Sequence, residues 1–347
     1  MSVDKFFKGK KILITGHTGF IGSWMTKWLT MLGANVCGYS LNPPTQPNLF
    51  DIIQIQTKIK HVIGDIRNGE LFYKTGVDFQ PEIVYHLAAQ PIVLSAYKDP
   101  VETFDINVTG TVNVLNSLRK IKSVKTILVM TSDKSYLNKE WEYPYREIDE
   151  LGGIDPYSAS KSCQDIVVNS FRESYFEDNG VSVSSVRAGN AIGGGDWAAF
   201  RIVPDIVKAL SKNEPVKIRN PSSVRPWQHV LDPIAGIFNL TEKMWDNSRY
   251  SGAWNFGPAG TDKITVKDLV DQFISLWNDG SYDIENISEK KEANYLTLDI
   301  SRAVNLLNWH PVLDINRSLK LIVEWYKGYL GVKANMDLLT ENQISLY

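Results

Sequence analysis

The run Gly16-His17-Thr18-Gly19-Phe20-Ile21-Gly22 constrains the fold more than any other stretch of this chain. It follows the apolar segment Lys11–Thr15 and precedes a helical pattern over 23–32 ended by Gly33, so strand, tight turn and helix stand in order. Glycines at this spacing permit the turn and let the backbone N–H groups of a helix N-terminus approach a dinucleotide pyrophosphate. No Gly-Lys-Ser/Thr follows, which argues against a phosphoryl-transfer loop.

Further short apolar runs at 35–39, 83–87, 126–131 and 181–187 alternate with helical patterns such as 108–120. Runs like Ile12-Leu13-Ile14 and Ile127-Leu128-Val129-Met130 lack polar alternation, as strands do when helices cover both faces of a parallel sheet. The expectation is an α/β doubly wound parallel sheet over residues 1–190, with a return segment near 226–258. After Asn190 the texture changes to a glycine loop at 193–197, a helix over 202–211 and proline-punctuated short elements. Helical patterns follow at Val266–Trp277, 301–307 and 318–329, so residues 191–347 are expected to form mainly a smaller substrate-binding domain. A chain of 347 residues, 43% of them hydrophobic, can bury cores of this size.

The 37 basic and 39 acidic residues leave a net charge of −2, so no basic footprint points to nucleic acid or an anionic membrane. Small-molecule partners are expected instead. Cys37 and Cys163 form neither a disulfide framework nor a metal pair, and both are expected to be buried thiols. With no apolar signal core near the N-terminus and no apolar stretch of about 18 residues, a cytoplasmic, non-membrane protein is expected. His17, His61, His86, His229 and His310 show no metal-ligand spacing, and His86 is expected in the core. Asn107-Val108-Thr109 matches a glycosylation sequon but reads as an ordinary helix or loop asparagine. Trp197 and Trp227 are candidates for the rim of a ligand cleft.

The chemistry concentrates in two places. Tyr157 and Lys161, at i and i+4, project from one helix face, where the ammonium can lower the phenol from its reference of about 10 towards a usable base. Ser132-Asp133-Lys134 closes the run Thr126–Met130, on the sheet edge where cofactors bind, and adds an acid and an amine beyond what a simple dehydrogenase needs. The second strand ends Gly38-Tyr39-Ser40-Leu41-Asn42, with neither the acidic residue nor the arginine that would decide between NAD and NADP. Asp65, where a third strand would end, is a candidate acceptor for the adenine amino group.

These stretches, together with His86-Leu87-Ala88-Ala89-Gln90-Pro91, Tyr157-Ser158-Ala159-Ser160-Lys161, Arg187-Ala188-Gly189-Asn190, Gly193-Gly194-Gly195-Asp196-Trp197, Arg225-Pro226-Trp227-Gln228-His229-Val230 and Trp254-Asn255-Phe256-Gly257-Pro258, resemble the extended short-chain dehydrogenase/reductases over nearly the whole length. The Ser-Asp-Lys triplet, Gly-Gly-Gly-Asp-Trp and Arg-Pro-Trp-Gln-His-Val are the segments most specific to its nucleotide-sugar dehydratases. Ile21 departs from the lysine of many close relatives, and Lys134 stands where better-known deoxysugar dehydratases carry glutamate. The resemblance implies NAD as cofactor, held by Gly16, Thr18, Gly19, Phe20, Ile21, Gly22, Asp65, Ile66, Leu87, Ala88, Ala89, Gln90, Asn107, Tyr157 and Lys161. It implies CDP-glucose as substrate, with Asn190, Arg201, Arg225 and Asn255 as its contacts. By the same resemblance Tyr157 takes the C4-hydroxyl proton, Lys161 holds the nicotinamide ribose and Ser132 bonds the sugar oxygen. Asp133 is then the acid for the departing C6 oxygen, Lys134 the base at C5, and a homodimer or dimer of dimers the assembly. Rival readings are a 4-epimerase or 4-reductase, which need no acid and base beside Ser132, and a nucleotide-sensing regulator, against which intact Ser132, Tyr157 and Lys161 argue.

Overall fold

The computed structural model describes residues 3–259, 264–285, 295–331 and 334–347. Its strands are β1 (Lys11–Thr15), β2 (Asn35–Ser40), β3 (Lys60–Ile63), β4 (Ile83–His86), β5 (Thr126–Met130), β6 (Ser182–Ala188), β7 (Asn190–Ile192), β8 (Val216–Ile218), β9 (Trp227–His229), β10 (Gly252–Phe256) and β11 (Tyr282–Ile284). Seven of them form one sheet in the order β3-β2-β1-β4-β5-β6-β10, every neighbouring pair parallel. Strand order reverses between β1 and β4, which opens a crevice above their carboxyl ends.

Successive strand residues point to opposite faces, so the near-continuous apolar runs feed two cores. Ile12, Ile14, Val36, Ile83, Tyr85 and Leu128 pack on one side. Leu13, Cys37, Val84, Ile127, Val129 and Val183 pack on the other. This is the doubly wound α/β sheet that the alternating pattern predicts. β10 joins the sheet beside β6 from more than 60 residues away, aligning Gly252 with Ser184 and Phe256 with Ala188. Two parallel pairs, β7 with β9 and β8 with β11, lie outside the sheet and extend the crevice.

Several boundaries differ from the sequence pattern for identifiable reasons. The first long helix is Phe20–Met31, three residues earlier than expected, because Gly22 already lies in its first turn. The helix expected over 108–120 begins at Pro100, where Asp99 accepts a hydrogen bond from the Glu102 N–H, and passes through a wide turn at Asp105–Thr109 into Gly110–Leu118. Asp314 caps the helix Ile315–Leu330 and moves its start forward in the same way. The helices Leu231–Asp246 and Met336–Ser345 escaped the pattern reading, the second because its apolar residues do not gather on one face. Cys37 is buried, whereas Cys163 is only half-buried, which corrects the expectation of two buried thiols. Among the described residues no helix is long and apolar enough to cross a membrane.

Candidate active site

The glycine turn is required first by its own packing. Gly16 has φ +76°, and a Cβ there would lie 2.7 Å from the Ala88 nitrogen; one at Gly22 would lie 2.1 Å from the Gly16 carbonyl oxygen. Gly19 differs: its Cβ would meet only that same carbonyl, at 3.3 Å, so its bareness leaves room for something outside the protein. No side chain caps the helix Phe20–Met31 and no acidic residue sits in its first turn. The positive helix end is thereby left facing outward, which fits a dinucleotide pyrophosphate.

Around this turn the expected cofactor residues divide. Ile21, Leu87 and Ala89 line a cleft of about 610 Å³ together with Met130, Ser132, Tyr157 and Lys161. The Leu87 and Ala88 N–H groups donate to the Thr15 hydroxyl at 3.2 Å, fixing the turn after β4. Thr18 donates to the Leu41 carbonyl at 2.9 Å and meets the Ser40 hydroxyl, so its side chain ties the glycine turn to the end of β2. Asp65 accepts from the Arg67 N–H and guanidinium, which hold its carboxyl below the usual range, and Ile66 is buried beneath Gly110. Gln90 accepts from the Ile92 N–H and donates to Thr103. Asn107 is fully buried; it accepts from the Gln90 N–H and donates to the Gln90 carbonyl and Ser160, so it clamps the loop after β4.

Ser132 follows β5 and caps the short turn Asp133–Ser135, accepting from the Lys134 N–H at 3.1 Å. Its hydroxyl donates to Asp133 Oδ1 at 3.0 Å, while Asp133 Oδ2 is buried with no hydrogen-bond partner. Burial raises the Asp133 carboxyl above its ordinary value, against the opposing charges of Lys134 and Arg225. Tyr157 and Lys161 lie on the helix Pro156–Phe171, started by Pro156 and capped by Asp155. The phenol is pushed up to about 12 by burial, with Ser132 opposing, which reverses the expected lowering by Lys161. Lys161 is itself brought down to about 7 by burial, so it is a weak source of positive charge.

A buried chain of hydrogen bonds behind Lys161 was not anticipated from the sequence. Lys161 donates to Gln164 at 2.9 Å; Gln164 donates to Thr111 at 2.8 Å; and Thr111 donates to the Asn107 carbonyl at 2.7 Å. Because Thr15 accepts two backbone N–H groups, its own proton goes to His86 Nδ1, and His86 Nε2–H then donates to Thr111. His86 is thus a neutral, satisfied core histidine, as expected, with burial lowering its pKa to about 3. Gln164 lies three residues after Lys161, and that i,i+3 spacing was the available signal.

On the substrate side, Asn190 sits in β7 opposite Trp227 of β9, and both line the cleft. The glycine loop at 193–197 turns at Gly195, φ +79°, and passes under Trp325, where a Cβ on Gly194 would lie 2.2 Å from the ring. This presents Asp196 to Arg201 at 3.0 Å, and the arginine enters the cleft near Tyr157. Arg225 lines the cleft close to Asp133. Trp197 packs against Tyr326 and Tyr329 and does not line the cleft, unlike Trp227. Asn255 is wholly buried, accepts from Tyr136, and donates to the Tyr145 and Asp299 carbonyls. Among the described residues no group of three or more metal-ligating side chains occurs.

A doubly wound sheet with a glycine cradle at its switch point and Ser132, Tyr157 and Lys161 lining the cleft defines the extended short-chain dehydrogenase/reductase fold. The family model described as GDP-mannose 4,6 dehydratase matches residues 13–322, and the chain belongs to that family. It is 44% identical to CDP-glucose 4,6-dehydratase of Salmonella typhimurium, covering 99% of this chain and 98% of the relative. A putative UDP-glucose 4-epimerase of Methanocaldococcus jannaschii is 27% identical, over 91% of this chain and 98% of its own. Among solved structures, dTDP-glucose 4,6-dehydratase from Bacillus anthracis in complex with NAD superposes with TM-score 0.77 at 22% identity, over 92% of this chain and 97% of that one. UDP-glucose-4-epimerase from Stenotrophomonas maltophila with bound NAD gives TM-score 0.82 at 19% identity, over 92% and 99%.

Proposed function

We propose that this chain is a lyase that converts CDP-glucose to CDP-4-keto-6-deoxyglucose with NAD recycled in each turnover. The observation that carries this reading is Asp133, a buried, up-shifted acid with one unpartnered oxygen beside Ser132, in the cleft that also holds Tyr157 and Lys161. A 4-epimerase or 4-reductase has no use for such an acid. The 44% identical CDP-glucose 4,6-dehydratase supports both substrate and reaction.

When bound, NAD supplies the hydride acceptor for C4 and the hydride donor for C6, and its positive ring favours the Tyr157 phenolate that burial disfavours. Tyr157 takes the C4-hydroxyl proton, Ser132 bonds the same oxygen, and Lys161, braced by Gln164, holds the nicotinamide ribose. The C4 ketone acidifies C5; Lys134 removes that proton and Asp133 protonates the C6 hydroxyl as it leaves as water, and the Lys134 ammonium gives a proton back to C5 when C6 is reduced. Gly16, Gly19 and Gly22 with the helix end cradle the pyrophosphate, and Asn190, Arg201 and Arg225 surround the substrate. In this reading residues 1–190 with the returning β10 bind the cofactor, and 191–347 mainly bind substrate. The protein works in the cytoplasm in deoxysugar synthesis for surface polysaccharide. It pairs with a second copy through its helices near 108–120 and 158–172, the second of which leaves Ile166 exposed at 57%.

Substrate carrying deuterium at C4 tests the reaction. The label should appear at C6 of the product with no net change in cofactor absorbance. Stoichiometric reduced cofactor without a deoxy product would establish a plain dehydrogenase instead.

A further inference from the structure

Beyond Arg201 and Arg225 the cleft continues between the helix Ile202–Leu210 and β8, past the point where a sugar at Tyr157 would end. Asp205, in the first turn of that helix, and Arg219, immediately after β8, both line it. Their charged groups lie 3.8 Å apart, too far for a hydrogen bond, and the guanidinium rests 5.8 Å from the centre of the Phe200 ring. Among the described residues neither side chain makes a hydrogen bond, and their exposures of 37% and 34% leave both reachable from the cleft. A charged donor and an acceptor therefore stand side by side where the far end of a nucleotide sugar would lie.

Pyrimidines differ at position 4. Cytosine presents an amine there, a donor, whereas uracil and thymine present a carbonyl, an acceptor; all three carry an acceptor at O2. We infer that Asp205 and Arg219 read the base of the substrate, Asp205 accepting from the exocyclic amine of cytosine and Arg219 donating to O2. A carbonyl placed against the Asp205 carboxylate would oppose two acceptors, so uridine and thymidine nucleotides are disfavoured by repulsion as well as by a missing bond. The assignment rests on the CDP-glucose reading above and adds the residues that select the base.

Titration calorimetry of the intact protein with CDP, UDP and GDP tests it. A hydrogen bond to a charged group corresponds to a factor of about 10 to 100, so wild type should favour CDP over UDP by at least about tenfold. Asp205→Asn, whose amide serves either pyrimidine, should bring that ratio to within about threefold. Arg219→Ala should weaken CDP and UDP by a similar factor and keep their ratio. An unchanged ratio in Asp205→Asn, a wild type that turns over CDP-glucose yet binds CDP and UDP alike, or GDP binding as tightly as CDP would each overturn the inference. If wild type prefers CDP through Asp205 but gives no deoxy product from CDP-glucose, the base assignment stands and the dehydratase reading falls.

Discussion

Asp133, in the turn after β5, and Asp165, on the helix that carries Tyr157 and Lys161, are both buried carboxylates, yet they are treated oppositely. Asp165 takes both Nε and a terminal nitrogen of Arg187 at 3.1 to 3.2 Å, and the same guanidinium donates to the Glu147 carbonyl and covers the Tyr136 ring. Asp133 has the Ser132 hydroxyl on one oxygen and nothing on the other. A fully paired buried charge is a strut, because removing either partner strands the other in a low dielectric. A half-satisfied one carries a standing desolvation cost that packing alone does not explain, and it faces the cleft. Burial and residue type alone would not separate the two.

The largest test of this contrast is in turnover. Asp133→Asn should lower product formation by about 10² to 10⁴, the range of a general acid, while stability stays within about 1 kcal/mol of the parent in urea unfolding. Lys134→Met should fall as far in product, yet still oxidise C4. A transient rise in reduced-cofactor absorbance with no solvent exchange at C5 would show this, and elimination at the parent rate would remove Lys134 as the base. Next in size, Asp165→Asn should cost about 3 to 5 kcal/mol of folding stability by leaving Arg187 buried without its counter-charge. A loss below 1 kcal/mol would mean that the pair is not a strut.

The smallest expected effect, measured per pH unit, is a slope of at most about 1.4 kcal/mol. Lys161 titrates near 7 in the folded chain against about 10.4 unfolded, so between those values the unfolded state binds more protons. Its burial penalty is full below pH 7 and is relieved as pH rises towards 10.4, so the stability of the parent should gain on that of Lys161→Met across this window. Asp165 raises the Lys161 pKa, so Asp165→Asn should extend the slope to lower pH. Parallel stability curves for parent and Lys161→Met would contradict the shift.

Much of this was legible because it is local. The glycine turn, the strands that feed two cores and the Tyr157/Lys161 spacing are properties of a few consecutive residues, and strand or helix period fixes which face each one takes. Ser132-Asp133-Lys134 was readable because the end of a parallel strand is where such sheets bind ligands. The partners of Asn107 and Asn255 were not legible for a shared reason: an asparagine near a site can face the ligand or hold a loop behind it, and sequence does not say which side of the loop its amide lies on. Their partners, Gln90 and Tyr136, are 17 and 119 residues away.

The sequence by itself thus determined the doubly wound class, the cradle and the chemical types gathered at the strand ends, since backbone conformation and hydrophobic period are set over short distances. Only the tertiary structure decided protonation and partnership. It left one oxygen of Asp133 bare, closed Asp165 onto Arg187, and ran Lys161 through Gln164 and Thr111 to His86. Desolvation and hydrogen bonding depend on every atom around a group, and those atoms come from strands and helices that meet only when the chain is folded.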